Sequence, residues 1–184
     1  RSRGEPLAAH ATIYQDLYFS FYRNMLSLYC DQYPLFGDAQ VMPVKVIWDY
    51  AYYWGVLCPL AIGARLADIA LLGELRPQLE AAQALNATLQ AFFRDWHAAR
   101  GAGNPPLFLD QQALGWFVRL NATLHAPADD AAARARLREH IELLHALAGS
   151  IGELARRECA TLDVSQLLQA AGTRERPALF AQAA

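Results

Sequence analysis

Residues 41–60 read VMPVKVIWDYAYYWGVLCPL, and what encloses this stretch decides the fold. Pro43 suits a first helical turn. Trp48, Tyr50, Tyr52, Tyr53 and Trp54 then point in several directions around the helix, leaving no fully polar face. Such a helix is buried on most sides, inserted in a membrane, or wrapped by partners. Val46 to Ala64 is nearly long enough to span a bilayer. Against spanning stand Asp49, Pro59 and two glycines, and an unpaired acid in hydrocarbon costs roughly 2.5–3.5 kcal/mol. The rest of the sequence offers no second span to pair with it. Enclosure by protein, with no transmembrane span, is the expectation.

Asp49 follows from that enclosure. A buried carboxylate is costly unless it is paired. Lys45 lies one turn earlier, in the less favourable order for such a pair but the local candidate, and tyrosine hydroxyls of the preceding helix are the other. Two roles stay open. Asp49 is a polar anchor in the core, or it orients a substrate or handles a proton in an aromatic pocket.

Working outward, Tyr14, Tyr18, Phe21, Tyr22, Met25 and Tyr29 recur at spacings of three and four, predicting a helix from about Leu7 to Cys30 with these residues on one side. Residues 31–38, DQYPLFGD, read as a loop because Pro34 and Gly37 disfavour helix. The second helix runs towards Leu72, kinked at Pro59 and stopped by Gly73. A third, about Glu74 to Arg100, carries apolar residues from Leu75 to Trp96 at core spacing, and Gly101-Ala-Gly-Asn-Pro-Pro breaks it. A shorter helix spans about Asp110 to Leu124. Asp129 or Asp130 caps the next, which carries Leu137, Ile141, Leu144, Ala148 and Ile151, with Gly149 and Gly152 weakening its end. Ser165 to Ala171 adds a short turn. No strand-like alternation or internal repeat appears. The predicted architecture is an all-α bundle of five to six helices, a single domain over 1–172 with a loose tail at 173–184.

Composition narrows function. The 184 residues are 54% hydrophobic and 18% charged, enough to bury a core without metal or disulfide staples. A net charge of −2 gives no long-range attraction for nucleic acid. Cys30, Cys58 and Cys159 form no CxxC or Cys/His cluster, so buried free thiols in a reducing cytoplasm are expected, with contact at the inner membrane surface as the alternative location. The first residues, Arg-Ser-Arg-Gly-Glu-Pro, hold no methionine or apolar signal core, as in a piece of something longer or a processed product.

Catalytic patterns are sparse. Glu142-Leu-Leu-His145 has the Glu-x-x-His spacing of di-iron bundles, but no second copy occurs, and an exposed charged helix face explains it. His97, near a helix end, is explained by terminal carbonyls. No nucleophile elbow, Walker loop or dinucleotide-binding glycine motif is present. No catalytic or metal-ligating residue is assigned.

Residues 31–38 and 41–57 together resemble the C-terminal region of bacterial flavin-dependent halogenase-like proteins of the tryptophan-halogenase superfamily, and the tyrosine-rich helix before them is consistent with it. The resemblance covers about the first third of the chain. It implies FAD on a Rossmann-like domain with a glycine fingerprint, a Trp-x-Trp-x-Ile-Pro motif and a catalytic lysine. None of these is in the sequence, and Lys45 lies in the wrong context for that lysine. It also implies that this chain binds no cofactor itself and packs as a helical portion against a flavin-binding domain of the same polypeptide. Trp48, Tyr52 and Tyr53 would then line a pocket for an apolar or aromatic small molecule, with Asp49 as its polar element. A non-enzymatic helical protein holding an apolar ligand or a partner helix is the alternative. A di-metal carboxylate enzyme is a third.

Overall fold

A computed structural model describes residues 7–63, 65–100, 108–125, 127 and 129–180. They form an all-α fold with no strand among them. The helices are α1 (Leu7–Tyr29), α2 (Val41–Tyr52), α3 (Cys58–Ile62), α4 (Ile69–Ala99), α5 (Gly115–Ala122), α6 (Asp130–Glu158) and α7 (Ser165–Ala171). A π-helical turn, Tyr53–Leu57, joins α2 to α3 without a break, so the rod from 41 to 62 counts as one of six helices. No described helix is long and apolar enough to cross a membrane.

The π turn has an identifiable cause. In a regular helix the carbonyl of Gly55 would accept from the N–H of residue 59, but Pro59 has none and its ring crowds that oxygen. The chain widens, and His140 of α6 donates its Nδ1–H to Gly55 O at 2.9 Å. Because a carbonyl only accepts, Nδ1 carries the proton. Burial holds His140 below the usual histidine range, so the ring is neutral near pH 7. The expected kink is thus a widened turn, stitched to a second helix.

Helix α2 lies at the centre. Val41, Val44, Ile47, Trp48, Ala51 and Tyr52 are buried, and they meet Leu89, Phe93 and Trp96 of α4 and Leu144, Leu147 and Ile151 of α6 in one core. Each fully buried large side chain contributes about 1.5–3 kcal/mol relative to exposure. Enclosure is incomplete, however: Tyr50 and Tyr53 are exposed on the remaining side.

Several boundaries differ from the sequence reading. The second helix ends at Ile62, and Gly73 lies inside α4, whose true start is the Asp68 cap accepting from Leu71 N. Asp31, in the left-handed region at φ 58°, follows the end of α1, a conformation that aspartate tolerates better than most residues. Gly149 and Gly152 do not weaken α6, which continues to Glu158. They let α7 approach: a Cβ on Gly149 would sit 2.6 Å from Ala171 Cβ, and one on Gly152 3.3 Å from Leu167 Cβ. The segment 173–180, expected to be loose, is docked. Leu179 is buried, Ser150 Oγ donates to Pro177 O at 2.8 Å, and Trp116 Nε1 donates to Ala178 O at 2.7 Å. Residues 181–184 lie outside the described residues, as does the whole of the 101–106 linker expectation.

Candidate functional site

Three elements build the site. Helix α1 lies along α4, and over residues 21–30 its inward side carries Phe21, Asn24, Ser27 and Leu28, of which Asn24 is buried and the others half-buried. The aromatic side picked out by sequence spacing faces outward, with Tyr14, Tyr18, Tyr22, Met25 and Tyr29 all exposed. Only Phe21 of that series packs on the core.

Between α1, the short helix Tyr33–Gly37 and α2 lies a groove of about 280 Å³. Met25, Tyr29, Phe36, Met42, Tyr50 and Tyr53 line it, with Lys45 and Asp49 below. Lys45 Nζ reaches Asp49 Oδ2 at 2.5 Å and Leu28 O at 3.2 Å. Gln90 of α4 donates to Asp49 Oδ1 at 2.7 Å. The partners of Asp49 are thus Lys45 and an α4 amide rather than the α1 tyrosines. Burial raises the Asp49 carboxyl above its ordinary range, and the opposing pull of Lys45 and Gln90 does not fully offset it.

Behind this pair the polar groups continue into the core. Trp48 Nε1 donates to Asn86 Oδ1 at 2.9 Å, and Asn86 Nδ2 reaches Ser27 Oγ at 3.3 Å and Asn24 Oδ1 at 3.4 Å. Tyr52 hydrogen-bonds Asn24, yet burial pushes its phenol well above the usual tyrosine range. Gln32 Nε2 donates to Gln90 O at 3.1 Å, while Gln32 Oε1 and Gln90 Oε1 have no partner. The four residues singled out from sequence therefore divide. Asp49 and Tyr53 line the groove; Trp48 and Tyr52 are buried on the opposite side of α2, joined to the polar core.

The periodicity of residues 41–60 could not reveal the groove's other wall. Met25, Tyr29 and Phe36 come from α1 and the following turn, while Gln90, the second partner of Asp49, comes from far along the chain. A rim of rings leads away from the groove: Tyr50 to Trp54 at 5.0 Å, Trp54 to Phe117 at 4.8 Å and Trp116 to Phe117 at 5.4 Å between centroids.

At the N-terminal end of α2, Asp38 is fully buried. Its Oδ1 accepts from Gln40 N and Val41 N at 3.0 Å, and its Oδ2 meets His97 Nδ1 and Arg100 Nε, both at 2.6 Å. His97, expected to serve only the end of its own helix, clamps α4 to the start of α2 instead. Burial raises the Asp38 carboxyl, but His97, the two backbone N–H groups and Arg100 together bring it below its ordinary value.

The remaining candidates have structural partners. Glu142 pairs with Arg174, and the His145 ring hydrogen-bonds the backbone of Ala170. Among the described residues no group of three or more His, Cys, Asp and Glu is placed to hold a metal ion. All three cysteines are free; Cys58 is buried, Cys159 partly so, and Cys30, contrary to expectation, is exposed.

The groove does not fit a flavin dinucleotide. It is small for one, and a carboxylate at its base repels a pyrophosphate where glycine-rich backbone N–H groups would be needed. No family profile, characterised protein or solved structure matches the chain.

Proposed function

We propose that this chain is the helical, substrate-side portion of a flavin-dependent halogenase-like or monooxygenase-like oxidoreductase, in which the α1–α2 groove forms one wall of the pocket. The observation that supports it is the groove itself: an apolar cleft walled by methionine and aromatic side chains, with one ion pair at its base. In this reading the chain holds an apolar or aromatic small molecule, with Asp49 and Tyr53 in contact. FAD is bound by another domain of the same cytoplasmic polypeptide, and this portion does not catalyse on its own. Trp48 and Tyr52 act from behind, fixing α2 against α1 and α4 through Asn86 and Asn24. When bound, the flavin would supply the oxidising chemistry; the residues here orient substrate and exclude water.

Reading the encoding gene upstream of Arg1 tests the proposal. Gly-x-Gly-x-x-Gly and Trp-x-Trp-x-Ile-Pro in frame support it, whereas a complete gene of about this length overturns it. Titrating the chain with FAD adds a second check, since strong quenching of flavin fluorescence would contradict a flavin held elsewhere.

A specific observation favours the second reading, a non-enzymatic helical protein. Tyr14, Tyr18, Tyr22 and Tyr29 of α1 are exposed, and so is Tyr33, at 74%. An exposed aromatic helix side of this kind suits a partner helix as well as a missing domain.

A further inference from the structure

The base of the α1–α2 groove is electrically lopsided, and that bears on which ligand it accepts, given that the groove is a ligand pocket. Lys45 and Asp49 form one ion pair, but the lysine side chain is 1% exposed and the aspartate 20%. Lys45 Nζ is turned inward, held by Leu28 O and Asp49 Oδ2. Both line the groove, but a molecule entering it meets more of the carboxylate than of the ammonium. Each carboxylate oxygen has two acceptor positions. Oδ1 uses one for Gln90 and Oδ2 one for Lys45, so two remain for a donor. The walls around them are Met25, Leu28, Met42 and Val46, with the rings of Tyr29 and Phe36. The volume, about 280 Å³, is just below the roughly 300–1,000 Å³ usual for small-molecule sites. That suits one or two fused rings.

We infer that the groove takes a flat apolar ligand of one or two fused rings that presents a neutral or cationic hydrogen-bond donor to Asp49, and rejects the same rings bearing a carboxylate. The selectivity has a physical origin. A donor restores to Asp49 a hydrogen bond that the ligand's entry takes away by displacing water, whereas an anion adds like charge in a poorly solvated cleft. Burial already presses the Asp49 carboxyl towards its neutral form, so it gains from any donor delivered to it.

Three probes of matched shape test this by ligand-observed NMR with the intact chain: 2-naphthol, 2-methoxynaphthalene and 2-naphthoate. The expected result is 2-naphthol binding about tenfold more tightly than its methyl ether, with 2-naphthoate weakest. Asp49→Asn narrows the gap between naphthol and naphthoate, and Val46→Trp, which fills the groove, removes binding of all three. Equal affinity for naphthol and its ether, or preference for naphthoate, lost in Val46→Trp, overturns the donor inference while leaving the groove as a pocket. Binding of no probe, or binding indifferent to Val46→Trp, overturns the pocket reading and this inference with it. If Asp49→Asn does not fold, the probe series on the unaltered chain decides alone.

Discussion

Two aspartates flank the first half of α2, and although burial raises the carboxyl of each, they end on opposite sides of the ordinary value. Asp38 accepts from two backbone N–H groups and meets both His97 and Arg100, so its carboxylate is over-supplied with donors and lies below its ordinary pKa. Asp49 has one lysine and one amide, and burial wins, raising it. Both carboxyls are largely shielded from water. The number and charge of the donors that face them differ, and that difference works alongside burial. Asp38 is an anchor with its acceptor capacity taken up; Asp49 is left with capacity facing a groove. The first arrangement fixes the fold, and the second suits a binding site.

The strongest way to break this contrast is to remove the single cation beside Asp49. Lys45→Met should destabilise the chain by about 3–5 kcal/mol at neutral pH, because it strands a buried charge. The loss should shrink as pH falls, because a protonated Asp49 strands no charge. Lys45→Met with Asp49→Leu should recover most of the loss, since an apolar pair strands nothing. Urea unfolding at pH 7 and pH 4.5 measures all three; an equal loss at both values would refute the assignment of Asp49 as the strained member.

Asp38→Asn should cost about 2 kcal/mol at neutral pH by weakening charge-assisted hydrogen bonds that join α2 to α4. The two acids also carry opposite signs of pH dependence. The folded pKa of Asp38 is lowered, so its stabilisation is present above its ordinary 3.8 and is lost as pH falls through the lower folded value. The folded pKa of Asp49 is raised, so its contribution declines as pH rises from 3.8 through the folded value. Stability profiles of Asp38→Asn and Asp49→Asn between pH 2.5 and 6 should therefore diverge from the unaltered chain in opposite directions. Parallel profiles would erase the distinction.

The contrast also marks what sequence could disclose. The all-α class and the central role of residues 41–60 were legible because a helix with no fully polar face calls for enclosure, which Trp48 and Tyr52 obtain although Tyr50 and Tyr53 do not. The Lys45–Asp49 pair was legible because its members are one turn apart. Asp38 was not, since its partners His97 and Arg100 lie at the far end of α4 and only tertiary contact unites them. The direction of α1 was hidden for a related reason. Spacing identifies a stripe of tyrosines but not whether it faces core or solvent, and over residues 21–30 the inward side belongs to Phe21, Asn24, Ser27 and Leu28. Trp48 and Tyr52 were drawn into the pocket for want of knowledge of the helix's rotation. Pro59 suggested a kink, yet the imidazole that satisfies the freed carbonyl comes from α6.

That imidazole gives a smaller test of the same rule that donor supply decides the fate of a buried acceptor. His140→Phe keeps a ring but leaves Gly55 O without its donor, for a loss of about 1–2 kcal/mol. The folded pKa of His140 is lowered from 6.5, so its contribution is complete above that value and is lost as pH falls below it. His145 shares this direction, so the slope should lessen in His140→Phe rather than vanish. Smallest of all is the exposed pair of Arg76 and Glu80, 2.8 Å apart with both side chains more than 60% exposed. Glu80→Ala should change stability by less than about 0.5 kcal/mol, because water already satisfies both charges and salt screens what remains. A loss there comparable to that of Lys45→Met would mean that ion pairing as such, rather than donor supply at buried acceptors, governs this bundle, and the contrast between Asp38 and Asp49 would lose its physical basis.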